Sequence, residues 1–94
     1  MSTTITESSG NVFADLGFEP AEASILEMRA KLMSDLREYI QSSGMTPTEA
    51  AKKLKIARSR VTDLMRGRWE EFSLEMLITL AARVGRKVTL ELAA

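Results

Sequence analysis

The stretch Thr46-Pro47-Thr48-Glu49 constrains this chain more tightly than any other segment. A threonine hydroxyl accepts from the free amides of a first helical turn, and proline at the first helical position sacrifices no hydrogen bond. Glutamate at the third position reaches back to the amide of the cap. A helix is therefore predicted to begin there and to run to about Leu54, with Ala50, Ala51 and Leu54 on its inner side. The small alanines let another helix cross closely. After the break at Lys55-Ile56-Ala57, a second short helix is predicted from Arg58 to about Arg66, ended by Gly67, since glycine tolerates the left-handed conformation that closes many helices.

On that second helix, at 100° per residue, Val61, Leu64 and Met65 fall on one side. Ser59, Thr62, Asp63 and Arg66 fall on the other, flanked by Arg58 and Arg60. A close-packed first helix, a short turn and a second helix with a wholly polar outer face meet the physical requirement for inserting a helix into a major groove about 12 Å wide.

Net charge argues against a nucleic-acid partner at first sight, because 13 basic and 13 acidic residues cancel. The distribution reverses that argument. Residues 1–45 carry seven acids and three bases, a net of −4, whereas residues 46–68 carry seven bases and two acids, a net of +5. An electrostatic footprint is a local field screened over about 10 Å, so the basic block matters more than the total.

Several classes are disfavoured. The chain has no cysteine and no histidine, which removes disulfides, thiolate sites, imidazole metal ligands and the commonest acid–base catalyst. No catalytic residues, no metal and no cofactor are expected, and the protein is read as a non-enzyme. No apolar run is long enough to span a bilayer, and Met1 to Thr6 does not read as a secretory signal, so no membrane partner and a cytoplasmic location are expected. With 94 residues there is room for one compact domain.

Residues 1–10 are polar, rich in Ser and Thr, and read as a disordered tail preceding a single domain over 11–94. Asn11 to Phe18 gathers Val12, Phe13, Leu16 and Phe18. It either packs on the domain as a short helical turn or anchors another protein, and packing is the commoner fate of such a segment. From Pro20 to Ser42, Ile25, Met28, Leu32, Leu36 and Tyr39 recur at spacings of 3, 4, 4 and 3, one stripe of a long amphipathic helix closed by Gly44. Ser73 is placed to cap a further helix, with Phe72 positioned to staple onto Leu77, and Gly85 ends it. Only Glu75, Thr79 and Arg83 are polar between Leu74 and Val84, so this helix must be covered on more than one side. Residues 86–92 alternate Val88, Leu90 and Leu92 with Thr89 and Glu91, the pattern of a strand with one apolar face. No second convincing strand exists in the chain, so the simplest partner is the same strand of another copy.

The segment Thr46 to Gly67 resembles the helix-turn-helix of the lambda-repressor and Cro superfamily, the XRE family. Together with Asn11 to Phe18, the long Ile25 to Ile40 helix, Phe72 to Leu77 and the closing strand, it is similar to small HigA-type antitoxins of toxin–antitoxin modules. The resemblance implies an all-α, lambda-repressor-like bundle of about five helices with a helix-turn-helix at 46–67 and one C-terminal strand completing a dimer ribbon. It further implies a homodimer that binds a palindromic operator in double-stranded DNA and represses its own operon, with neutralisation of a basic RelE/HigB-like toxin as a second role. Lys55 stands where these relatives usually carry glycine, at a position that tends to need positive φ, so strain is expected there. Pro47 replaces a frequent glutamine, and Ala57 replaces the usual Ser or Thr cap.

Arg58, Ser59, Thr62, Asp63 and Arg66 are the base-reading candidates. Arg58 is the natural residue for a bidentate guanine contact, with a phosphate contact or a solvated arginine as its alternatives. Asp63 is more naturally a partner for Arg60 or Arg66 than a reader of cytosine. Thr46, Thr48, Lys52, Arg60 and Arg68 are the phosphate candidates, which position a domain without reading sequence. Trp69 fits a satellite of the core better than a DNA contact. Leu77, Leu80, Val88, Leu90 and Leu92 are the candidates for the dimer interface.

Overall fold

The computed structural model describes residues 12–92. Five helices follow in chain order: α1 (Val12–Asp15), α2 (Pro20–Ser43), α3 (Pro47–Leu54), α4 (Arg58–Met65) and α5 (Leu74–Arg83), with a single 3-10 turn at Trp69–Glu71 between the last two. The expectation of a disordered tail over residues 1–10 lies outside the described residues.

The local rules locate the helix ends. Thr46 Oγ1 accepts from the Glu49 N–H at 3.1 Å while the Thr46 N–H donates to Glu49 Oε1 at 2.8 Å, so the capping box is complete. Ser73 Oγ accepts from the Met76 N–H at 3.0 Å and opens α5. Gly44, φ 72°, closes α2 in the left-handed region. Ala57, in contrast, starts α4 with no side-chain cap.

The core is assembled from α2, α3, α4 and α5 around Met33, Leu36, Ile40, Leu54, Val61, Leu64, Phe72, Leu77 and Leu80. Helix α3 packs on α4 and α5, and α2 spans the bundle to touch α1, α4, α5 and the 3-10 turn. The buried residues of α2 are Ala23, Leu26, Met33, Leu36 and Ile40. This corrects the sequence-predicted stripe. Leu36 belongs to both sets, and Leu32 and Tyr39 of the predicted stripe pack half-buried against the core, but Ile25 and Met28 remain 44% and 42% exposed. The helix carries overlapping apolar stripes, and the predicted one is left uncovered at its N-terminal residues Ile25 and Met28.

Leu77 and Leu80 are fully buried within their own chain, so neither offers a surface for a second copy. The extra apolar side of α5 is covered by α2 and α3 of the same bundle. Phe72, 1% exposed, lies in the same core cluster as Leu77. Residues 86–92 form no strand, and no strand occurs among the described residues. A ladder needs hydrogen-bonded partners, and the single chain supplies none there. Among the described residues no helix is long and apolar enough to cross a membrane.

Candidate nucleic-acid interface

Helix α4 is held by Val61 and Leu64, which are 1% and 0% exposed, with Met65 and Ile56 packed at the edge of the core. This anchor turns the opposite side outward. Arg58, Ser59, Thr62 and Arg66 are all exposed, and at the helical angular step they share an arc of about 100°. The Thr62 hydroxyl donates to the Arg58 carbonyl at 3.2 Å, which fixes that side chain along the helix. The result is a short polar surface with an arginine at either end and small side chains between, compatible with close approach to base edges.

The turn before α4 is fixed from two directions. Lys55 adopts φ 61°, ψ 44°, the only non-glycine residue with positive φ among the described residues. Its N–H and that of Ile56 both donate to the Ala51 carbonyl, the latter at 3.1 Å, so the last turn of α3 closes as a Schellman-type motif. The Leu54 carbonyl accepts from Arg83 Nη1 of α5 at 2.8 Å. That bond ties the start of the turn to the helix behind it, and sequence reasoning did not find it because the partners lie 29 residues apart.

Arg60 has a different place from its neighbours. Its Nη2 donates to the Glu71 carbonyl at 2.9 Å, and its guanidinium lies 4.4 Å from the Phe72 ring centroid. A half-buried arginine in these contacts braces α4 against the segment that leads into α5. Asp63 pairs neither with Arg60 nor with Arg66; its carboxylate lies 3.8 Å from Arg68 Nε, beyond the helix end. The main chain explains the change, since the helix ends at Met65 and the Arg68 N–H donates back to the Asp63 carbonyl at 3.1 Å.

Thr46, Thr48 and Lys52 are exposed on α3. Thr46 and Glu49 satisfy each other, and Pro47 has no N–H, so the Thr48 amide is the first-turn donor outside those bonds. Thr48 and Lys52 are thus exposed and outside the capping bonds, while Thr46 is occupied as a cap. Trp69 packs against the core and meets Phe13 of α1 edge-on, with ring centroids 5.4 Å apart. Phe13 also meets Phe18 at 6.1 Å. The α1 segment therefore packs on the domain through Phe13, leaving Val12 and Leu16 63% and 70% exposed.

A search of curated proteins returned no match. A family model described as a helix-turn-helix domain matches residues 12–93, which takes in every helix described above. That match supports DNA binding by a regulator, and the chain belongs to the helix-turn-helix domain family.

Proposed function

We propose that this protein is a sequence-specific transcriptional repressor of the XRE type that binds a palindromic operator as a homodimer and autoregulates its own operon as the antitoxin of a toxin–antitoxin pair. The observation that carries the reading is the outer face of α4, where Arg58, Ser59, Thr62 and Arg66 are exposed above a buried Val61–Leu64 anchor. The surrounding net charge of +5 over residues 46–68 supplies the field that draws DNA to that face. The role is non-catalytic: the chain has neither histidine nor cysteine, and its carboxylates follow ordinary surface spacing.

A two-fold dimer would place two copies of α4 in successive major grooves, about 34 Å apart or a multiple of that distance. Val88, Leu90 and Leu92 supply its interface in this reading. The antitoxin role draws on the acidic segment before residue 45 and the exposed Val12 and Leu16, which complement a basic ribonuclease of the RelE/HigB kind. A stand-alone XRE-type regulator is the alternative, favoured by the packing of Phe13 on Trp69, which gives the α1 segment a structural use within its own domain. A purely protein-neutralising module would leave the α4 face without a role.

Footprinting on the DNA upstream of its own gene, together with co-expression with the adjacent reading frame, tests the proposal. A protected palindrome and a toxic neighbour silenced by this chain are expected. A footprint with no toxic neighbour reduces the reading to the stand-alone regulator, and the absence of any footprint overturns repression.

A further inference from the structure

The C-terminal segment after α5 is where the chain leaves most unfinished. Arg86 is anchored: its N–H donates to the Ala81 carbonyl at 2.9 Å and its guanidinium lies 5.1 Å from the Tyr39 ring centroid. Beyond it, among the described residues, the backbone from Lys87 to Leu92 makes no main-chain hydrogen bond. Val88 is half-buried against the core, whereas Leu90 and Leu92 are 69% and 103% exposed. Beside them runs a groove whose apolar lining comes from Met28, Leu32, Leu74, Ile78, Val88 and Leu90, with charged residues of α2 also along it. Met28 itself is 42% exposed on α2, so unpaired backbone and uncovered apolar surface occur together.

We propose that this surface is closed by a second copy of the chain, with residues 87–91 of the two copies paired antiparallel about a two-fold axis through Thr89. The inference rests on the homodimer reading above and specifies its register. Side chains alternate faces along a strand, so an axis passing between residues would set Val88 against Thr89 and break the apolar face. An axis at Thr89 sets Val88 opposite the partner's Leu90, and Lys87 opposite the partner's Glu91. By symmetry both contacts occur twice. An axis at Leu90 would leave Glu91 opposite Thr89, and one at Val88 would leave Lys87 opposite Thr89, so only the Thr89 register pairs both charges. In that register each Leu90 lies beside the partner's Val88 and reaches the apolar groove that Val88 borders. Opposite charges facing across a strand pair favour association, and like charges oppose it.

The chain has no cysteine, so single-cysteine variants report the register directly. Directly opposed residues in an antiparallel pair lie about 4.5–5.5 Å apart at Cα, within the range a disulfide spans. Full-length Thr89→Cys, Val88→Cys and Leu90→Cys are oxidised separately and read on non-reducing gels, with sedimentation equilibrium giving the oligomeric state of the unmodified protein. Efficient cross-linking of Thr89→Cys alone is expected. Lys87→Glu and Glu91→Lys should each weaken dimerisation about tenfold, and the double variant, which exchanges the charges, should restore it. A dimer that cross-links through Leu90→Cys or Val88→Cys instead, or through none of the three, overturns this register while leaving the homodimer reading intact. A protein that sediments as a monomer overturns both.

Discussion

Replacing Lys55 by glycine tests whether the turn between α3 and α4 is held under backbone strain. Lys55 sits at φ 61°, ψ 44°, and its side chain is exposed, so the substitution removes no core packing. The left-handed conformation costs an L-residue roughly 1–2 kcal/mol. Glycine avoids that cost but has roughly 0.5–1 kcal/mol more conformational entropy to lose on folding. Losing a cation at the C-terminal end of α3 subtracts roughly 0.3 kcal/mol more. The balance is a gain of about 0.5 kcal/mol, which for a domain of this size raises Tm by about 2–4 °C. Lys55→Ala is the internal control, because it loses the same charge while keeping a Cβ in the left-handed region. Urea unfolding followed by far-UV circular dichroism, at one protein concentration for all variants, should place the glycine variant about 0.5–1 kcal/mol above the alanine variant. Equal stabilities of these two variants would refute the strain argument, whatever their order relative to the parent protein.

Further outcomes follow from the bracing of α4. Arg60→Met keeps the aliphatic stem but loses the bond to the Glu71 carbonyl and the contact with the Phe72 ring; it should cost roughly 1–2 kcal/mol in urea unfolding. Because Arg60 is directed into its own chain, that variant should leave the salt slope of DNA binding unchanged, whereas Lys52→Ala should lower the slope by about one if Lys52 contacts phosphate. Thr46→Ala breaks the capping box and should cost about 1 kcal/mol, measured by the same unfolding experiment.

The helix ends were legible in the sequence because their causes are local. The Thr46–Glu49 box, the Ser73 cap and Gly44 each act within a few residues, whereas the positive φ at Lys55 is implied by the resemblance to helix-turn-helix domains that carry glycine there. The phase of α2 was less legible. A helix with apolar residues at both Ile25–Met28 and Leu26–Met33 offers more than one stripe, and which is buried depends on where α4 and α5 lie. The burial of Leu77 and Leu80 is illegible for the same reason: surplus apolar surface on α5 has the same sequence pattern whether a second copy or the same bundle covers it. Arg60 looked like its exposed neighbours because its partners come from the segment preceding α5, 11 residues away for Glu71. The Arg83–Leu54 bond spans 29 residues and has no local signature at all. Contacts of this kind decide which basic residues face outward, and they take the Arg60 guanidinium into its own chain.

The central claim, that the outer face of α4 reads a DNA sequence, is tested most directly by comparing affinities for the best duplex selected from a random pool and for unselected duplex at physiological salt, in the parent protein and in Arg58→Ala. The parent should prefer the selected duplex by about a thousandfold or more. Loss of the Arg58 contact should reduce that preference by about tenfold to a hundredfold, corresponding to ~1–3 kcal/mol for one bidentate base contact. Equal binding of the parent to selected and random duplex would contradict the account.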